Sequence, residues 1–507
     1  MKKNILVVMV FSLLSKIFGF ARDIVLAYFY GAGSISDAYL ISTTIPLTIL
    51  AMVGAGITTG YIPIFSKISD RATFDKGNDF TNNLLNIILM VSIIIVFISL
   101  FFIEQIVTAF AFGFDQHTFE LAVNFTRISL IGILFSGVVY IFTAFLQVNN
   151  KFIVTALLGL PLNIVTIISI ILSAKSNLLI LPIGSTLALL IQVIFLLPFV
   201  YKMGYKYKPI LNLKDKNILG MMKVSLPAIL GISASQINLL IDRTIASSIV
   251  IGGISALSYS NRLIAFFVGV FIAPIITVVY PRLSQTSIQK DFQTFKKNIS
   301  DSIVSMSILV VPCMMGLLIF ATPIVIFLFG RGEFDSNSVI LTSGSLFFYS
   351  LSILSLGLRE ILSRAFYALN DTKTPVVNSI LSIFLNIILN IVLSKLMGIF
   401  GIALATSISA LVATLMLFVA LRKKIGPFGL MKIIISFLKI LIASMMMGAI
   451  AKLSYLIFST FLSQNLSLLV AVGVGIVSYF VSIYFIRLED VDAFITLVKK
   501  RFGKRTI

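Results

Sequence analysis

The sequence predicts an all-α integral membrane protein of 14 transmembrane helices, two pseudo-symmetric six-helix lobes plus two C-terminal helices. Three observations carry this expectation. Of 507 residues, 59% are hydrophobic and only 11% charged, more apolar surface than a soluble chain of this size hides in its core. Apolar runs recur along the whole chain, each with the roughly 20 residues that cross a hydrocarbon layer of about 30 Å as a helix. Segments of the first half also recur in the second. Backbone polar groups in lipid must be satisfied within the segment, which selects helices, since a barrel would show short alternating stretches.

The expected spans fall near 4–30, 38–65, 81–111, 119–147, 152–173, 178–201, 218–250, 255–283, 299–328, 340–369, 375–395, 398–421, 431–458 and 465–486. Several exceed the minimum length, so tilt or extension beyond the headgroups is expected. The start, Lys2-Lys3 before an apolar stretch, imitates a signal peptide. No small-residue cleavage site follows, and the pattern runs on through Lys16, Arg22 and Asp23, which makes it an uncleaved first span.

Loop charges orient the spans. Lys67, Arg71 and Lys76 follow span 2, and Lys151 follows span 4. Lys202, Lys206, Lys208, Lys214 and Lys216 follow span 6, and Lys290, Lys296 and Lys297 follow span 8. Lys373 follows span 10, and Arg422, Lys423 and Lys424 follow span 12. The alternate loops 31–37, 251–254 and 459–464 carry no basic residue, and the other three hold only Lys175, Arg331 and Lys395. This alternation places both termini in the cytoplasm and agrees with an even number of spans. The net charge of +20 then faces anionic lipid from cytoplasmic loops, and no nucleic-acid partner is expected. Cys313, the single cysteine, lies in an apolar run, which excludes a disulfide within the chain. Trp is absent, leaving interfacial anchoring to 15 Tyr and 44 Phe.

The halves repeat at offsets of 217 to 222 residues. Gly33–Tyr39 lines up with Gly253–Tyr259, and Tyr61-Ile62-Pro63 with Tyr280-Pro281 after a slip. Phe110-Ala111-Phe112-Gly113 matches Phe327-Leu328-Phe329-Gly330. Ala144-Phe145 before Asn149-Asn150-Lys151 matches Ala365-Phe366 before Asn370-Asp371-Thr372-Lys373. A repeat of six spans is parallel, entering the membrane from the same side each time, and transporters of this build handle substrate at the repeat interface. The expected organisation is a first lobe over 1–203, a second over 217–422, two extra helices over 430–487, and a basic cytoplasmic tail over 488–507.

Ionisable groups inside spans are costly unless paired or hydrated, so each is a candidate functional residue. Lys16, Arg22 and Asp23 lie in span 1, and Arg262 near the outer start of span 8. Because these spans belong to opposite halves, their cations are candidates for a cavity that grips a phosphate, for which the planar Arg fork is suited. The bland reading is that Arg22 pairs with a carboxylate and Arg262 reaches back to the interface. Asp242 in span 7, Asn386 and Asn390 in span 11 and Thr406 in span 12 form a hard-oxygen set suited to Na⁺. The amides equally suit interhelical hydrogen bonding, and no other cofactor is called for. Arg359, Glu360 and Arg364 in span 10 read as a network with neighbouring helices, whereas His117 reads as a solvated loop side chain. No phosphate-binding Gly-rich motif, metal-spaced His/Cys cluster or nucleophilic triad is present, and with no loop long enough for a catalytic domain the chain is not expected to be an enzyme. Asp490-Val491-Asp492 has the form used by metal-dependent glycosyltransferases, but with Lys499-Lys500-Arg501 it reads better as an amphipathic tail on the membrane.

Several stretches carry a family resemblance. Gly19-Phe20-Ala21-Arg22-Asp23, Tyr30-Gly31-Ala32-Gly33 and Asp37-Ala38 resemble the first-span signature of the MurJ/MviN lipid II flippases. Pro227–Gly231 with Ser235-Gln236-Ile237, Phe329–Phe334, and Arg359-Glu360 through Arg364–Pro375 are similar to later segments of the same family. The resemblance implies the two-lobed fold of the multidrug/oligosaccharidyl-lipid/polysaccharide exporters and a role in peptidoglycan biosynthesis, cell-wall biogenesis and cell shape. It implies transport of an undecaprenyl-diphosphate-linked precursor from the cytoplasmic to the outer face of a bacterial cell (inner) membrane by a monomer. It makes Lys16, Arg22, Asp23, Asp37 and Arg262 the candidate substrate-binding residues. It also places Asp242, Asn386, Asn390 and Thr406 where relatives hold sodium, and makes the last two spans a groove for the lipid tail. The family often carries Arg and Glu after the proline of span 2, where this chain has the uncharged stretch Pro46–Gly56, and Ala265 stands where an acid is common. That departure leaves room for another polyprenyl-diphosphate oligosaccharide, such as a capsule or O-antigen unit. A cation-coupled drug exporter fits less well, since it favours acidic cavity residues and twelve spans.

Overall fold

The computed structural model describes residues 2–71 and 74–486, so the basic tail 488–507 lies outside the described residues. Helices occupy Lys2–Tyr30 (α1), Ser34–Arg71 (α2), Phe74–Phe101 (α3), Ile103–Phe110 (α4), Gln116–Ser129 (α5), Gly132–Val148 (α6), Phe152–Leu157 (α7), Gly159–Lys175 (α8), Ile180–Lys202 (α9) and Lys216–Ser247 (α10). They continue with Gly253–Phe267 (α11), Ala273–Ile288 (α12), Phe292–Ile319 (α13), Ala321–Phe329 (α14), Ser336–Ser350 (α15), Ser352–Ala368 (α16), Lys373–Met397 (α17), Ile399–Ile425 (α18), Leu430–Phe458 (α19) and Gln464–Ile486 (α20). A π turn, Val268–Ile272, joins α11 to α12. Among the described residues there is no strand.

Each expected span falls on one helix or on consecutive helices. Among the described residues twelve helical stretches are long and apolar enough to cross a membrane, and the pair α5–α6, bent by 45°, makes thirteen. With α1, a further helix of 29 residues, the pattern is consistent with fourteen.

The repeat is visible in the backbone, where short connections dictate geometry. Asn150 and Asn370 both have φ of 58°, the left-handed conformation that Asn tolerates better than most residues. Each closes its helix alike: Lys151 N–H donates to the Leu146 carbonyl and Asp371 N–H to that of Phe366. The Asp115 carboxylate accepts from Thr118 N–H and that of Asp335 from Ser338 N–H, capping α5 and α15 in the same way. Both carboxyls are held below the usual range by the hydroxyl and amide they accept from. The breaks after α3 and α13 fall on Phe102 and Phe320, with ψ of 27° and 21°.

Compactness divides the chain differently from the repeat. One compact unit takes the chain up to Ser255 with Arg331–Ser338, and the other takes Ala256–Gly330 with the chain from Val339 on. Helix α10 opens the second repeat in sequence, yet it packs along α2 inside the first unit. Ser225 donates to the Gly56 carbonyl at 2.6 Å, and Gly60 leaves no room for a Cβ beside Ser225 and Met221.

The first unit is built on an aromatic core of Tyr61, Phe65, Phe80, Phe145 and Tyr205. Beside it, the non-helical linker 204–212 would leave peptide groups without partners. A ladder of amides on α3 satisfies them. Asn78 donates to the Gly204 carbonyl at 3.1 Å, Asn82 to Lys206 at 2.9 Å and Asn86 to Ile210 at 2.8 Å. Asn83 bonds both main-chain groups of Asn212, at 3.0 and 2.6 Å. In the second unit α13, α19 and α20 close around Val304, Val311, Ile440, Ala443, Met447 and Tyr479. The Tyr479 hydroxyl donates to the Ile308 carbonyl at 2.6 Å, so its polar tip is satisfied in the apolar seam.

Candidate functional site

In the first unit the candidates of α1 form a tight local pair. Arg22 Nη2 and Nε both donate to Asp23 Oδ1, at 2.8 and 3.1 Å. Adjacent helical residues point about 100° apart, and the long Arg22 side chain bridges that angle by curling onto its neighbour. The Asp23 side chain is 8% exposed and that of Arg22 23%, so the carboxylate is turned inward and the guanidinium keeps an accessible edge. Tyr39 of α2 lies within electrostatic reach of Arg22. Lys16, two turns earlier, is exposed. Below it, Asn163 of α8 donates to the Ser15 and Gly159 carbonyls, fixing α1 against α8.

Asp37, expected among the substrate contacts, is 1% exposed. Its Oδ2 accepts from Gly252 N–H at 2.8 Å, and its Oδ1 from Ser255 N–H at 2.7 Å and the Ser255 hydroxyl at 2.6 Å. In this conformation both oxygens therefore fasten the start of α2 to the connection between α10 and α11. Gly252 permits the approach: its φ is +83°, and a Cβ there would stand 2.1 Å from the Ala32 carbonyl oxygen.

The candidate cation ligands are shared between the units. Asp242 belongs to the first, half-buried on α10, where Asn238 one turn earlier reaches its Oδ2 at 3.5 Å. The Asn238 Oδ1 is buried and has no hydrogen-bond donor, which adds an oxygen that residue types alone did not single out. The i, i+4 spacing of Asn238 and Asp242 was the available signal. Arg243 turns the other way and donates to the Leu40 carbonyl of α2 at 3.0 Å. In the second unit Asn386, Asn390 and Thr406 do come together. Asn390 Nδ2 donates to Asn386 Oδ1 at 3.0 Å, and Asn386 Nδ2 reaches Thr406 Oγ1 at 3.4 Å and Ser409 Oγ at 3.2 Å. Asn386 and Asn390 are 3% and 0% exposed, so this polar knot is sealed between α17 and α18. Among the described residues no group of three or more His, Cys, Asp or Glu could hold a metal ion.

Arg262, on α11 in the second unit, is exposed. The span-10 charges form the expected network: Arg359 donates to Ser379 Oγ at 2.7 Å, while Arg364 lies 3.5 Å from Glu360 and stacks over the Tyr280 and Tyr367 rings. Arg127 is exposed in the last turn of α5, where a cation suits the helix dipole. Between α19 and α20 runs an apolar groove of about 690 Å³, lined by Met446, Ile450, Val474, Val477, Val481 and Phe485 among others.

Comparison with known proteins finds relatives over nearly the whole chain. A probable lipid II flippase MurJ from Haemophilus influenzae is 30% identical over 457 residues, covering 86% of this chain and 89% of its own. One from Vibrio cholerae is 29% identical, covering 97% of each chain. The solved structure of a lipid II flippase MurJ in an inward closed conformation superposes with a TM-score of 0.81 at 27% identity, covering 94% of this chain and 98% of that one. An inward-facing multidrug resistance MATE transporter of the MOP superfamily shares the fold, with a TM-score of 0.70 at 14% identity, over 81% of this chain and 94% of its own. The family model described as lipid II flippase MurJ matches residues 26–472, and the chain belongs to that family of transporters.

Proposed function

We propose that this chain is a lipid II flippase, carrying the undecaprenyl-diphosphate-linked peptidoglycan precursor from the cytoplasmic to the outer face of the membrane by alternating access. The family match over residues 26–472 carries this reading. In it, the sequence-related halves 1–203 and 217–422 act as rocking lobes, with both termini cytoplasmic and the chain a monomer that binds no nucleic acid. Arg22, held in place by Asp23, offers the accessible edge of its guanidinium to a diphosphate oxygen while keeping the carboxylate paired. Arg262 supplies the second fork, and Lys16 a point charge. Asp37 serves by fastening α2 to residues 252–255 rather than by touching the substrate. The α19–α20 groove takes the polyprenyl chain. Asp242 with Asn386, Asn390 and Thr406 supplies oxygens for a coupling Na⁺, joined by Asn238.

A second reading, transport of another polyprenyl-diphosphate oligosaccharide, is favoured by one observation: the uncharged stretch Pro46–Gly56, which makes the site less cationic than is usual in the family. Complementation of a flippase-depleted strain tests the first reading. The wild-type chain restores growth, whereas Arg22→Ala with Arg262→Ala does not, at equal membrane levels. Rescue by the double variant contradicts the diphosphate clamp. Failure of the wild-type chain to rescue, while it restores a capsule- or O-antigen-flippase mutant, favours the second reading.

A further inference from the structure

Helix α19 opens the pair of helices that lies outside the repeat, and the chain turns into it from α18 through Gly426-Pro427-Phe428-Gly429. Gly429 stands at the helix start with φ of 83° and, having no side chain, leaves the first-turn amides of Leu430, Met431 and Lys432 without a side-chain cap. Free N–H groups and the positive end of a helix dipole favour an anion there. Many helices begin in this way, and here two side chains of α13 give the turn a more specific chemistry.

Lys296 and Ser300 lie four residues apart on one face of α13, and that face meets the glycine loop within the second unit. A Cβ on Gly426 would stand 3.4 Å from the half-buried Lys296 Nζ, and one on Gly429 would stand 3.2 Å from Ser300 Oγ. Ser300 is 4% exposed, and its hydroxyl has no hydrogen-bond partner. A helical serine commonly settles on the carbonyl four residues back, as Ser302 does with Asn298 at 2.6 Å and Ser307 with Ile303 at 2.8 Å. Ser300 instead points at the glycine, and a buried hydroxyl without a partner is costly. Nearby carboxylates are engaged elsewhere: Asp301 with Lys432 at 2.9 Å, Asp371 with Lys424, and Asp291 with the Thr294 N–H at 3.0 Å. Among the described residues no carboxylate pairs with Lys296, Lys297, Arg422 or Lys423, so the charge around the loop is positive.

We propose that the start of α19 is a binding site for a phosphate group, held by the Lys296 ammonium, the Ser300 hydroxyl and the first-turn amides of α19. An ammonium, a hydroxyl and the amides of a glycine loop before a helix converge on one point, which suits a group with several acceptor oxygens. The phosphate is that of a phospholipid headgroup or of a soluble phosphate ester. Once bound it ties α13 to the α18–α19 connection. None of these residues lines the α19–α20 groove, and the site is separate from Arg22.

Hydrogen exchange of the Leu430, Met431 and Lys432 amides reads the site, with the full-length protein in maltoside micelles, which carry no phosphate. The probes are inorganic phosphate and phosphatidylglycerol, with chloride at equal ionic strength and diacylglycerol as their controls. At about ten times the half-saturating concentration, exchange should slow about ten-fold. Slowing by phosphatidylglycerol alone supports the site and makes a lipid headgroup its ligand, whereas slowing by inorganic phosphate supports it and makes a soluble phosphate sufficient. Lys296→Gln should raise the half-saturating concentration about ten-fold, as loss of one charge-assisted contact does, and Lys296→Arg should retain most of the binding. Ser300→Ala should weaken it less, and Lys297→Gln, at the exposed neighbour, should leave it unchanged. Unaltered exchange over 303–311 of α13 shows that each variant is folded. No slowing with either probe, slowing equal to that of the controls, or slowing that survives Lys296→Gln overturns the site. An equal loss in Lys297→Gln shows diffuse attraction to a basic surface and overturns it as well.

Discussion

Arg22-Asp23 in α1 and Asp242-Arg243 in α10 occupy the same place in the two repeats, 220 residues apart, with the same two residue types in opposite order. One step along a helix turns a side chain by about 100°, so exchanging the order exchanges what each face presents. In α1 the second residue, Asp23, is turned inward and Arg22 keeps an accessible edge. In α10 the second residue, Arg243, is drawn to the Leu40 carbonyl, and Asp242 is left beside the bare Asn238 oxygen. The first repeat thus presents a guanidinium where the second presents a carboxylate. Under the proposed function, this one scaffold position meets a diphosphate at Arg22 in one half and Na⁺ at Asp242 in the other. The connections behave in the opposite manner: Asn150 and Asn370, and Asp115 and Asp335, do the same work in both halves. The repeat keeps what the backbone needs at its turns and diverges at the charged pair inside its first helix.

The comparison can be broken most forcefully by inverting the pair. Arg22→Asp with Asp23→Arg gives α1 the order of α10 and should abolish complementation while the protein still reaches the membrane. Arg22→Lys keeps the charge without the fork, and should weaken substrate binding about ten- to a hundred-fold. Asp242→Ala should remove any sodium-dependent rise in melting temperature, whereas Asn238→Ala should reduce it; an unchanged sodium response in both places the cation elsewhere. The turns should show symmetry instead. Asn150→Ala and Asn370→Ala should each cost about 1 kcal/mol of stability, and Asn→Gly at either site almost nothing, as unfolding measurements can check.

The smallest effect expected is at Asp371, whose carboxyl is held down to about 2 by the Lys424 ammonium and by Thr374. Its contribution is present above the ordinary carboxyl value near 4 and is lost as pH falls toward 2. The melting difference between wild type and Asp371→Asn should therefore close over that range.

The spans were legible because a helix in lipid needs a long apolar run and nothing else. The repeat was legible at its turns, where Asn, Asp and Gly are required by backbone geometry. The breaks at Phe102 and Phe320 were not, because no proline or glycine stands at either. Nor could the sequence show that α10 packs with the first unit, since a repeat records ancestry and packing records contact. At the candidate sites, the Asn386–Asn390 pair was legible from its spacing. The two oxygens of Asp37 were not, because their partners, Gly252 and Ser255, lie more than 210 residues away and mostly offer main-chain amides.

The most direct test of the inverted-pair account is the amount of lipid II exposed on the outer face of cells depleted of their own flippase. With the wild-type chain supplied, lipid II should reach the outer face. With Arg22→Asp plus Asp23→Arg at equal membrane level, it should accumulate on the cytoplasmic side. Wild-type exposure of lipid II by the inverted pair would contradict the account, because the substrate would then be indifferent to which charge α1 presents.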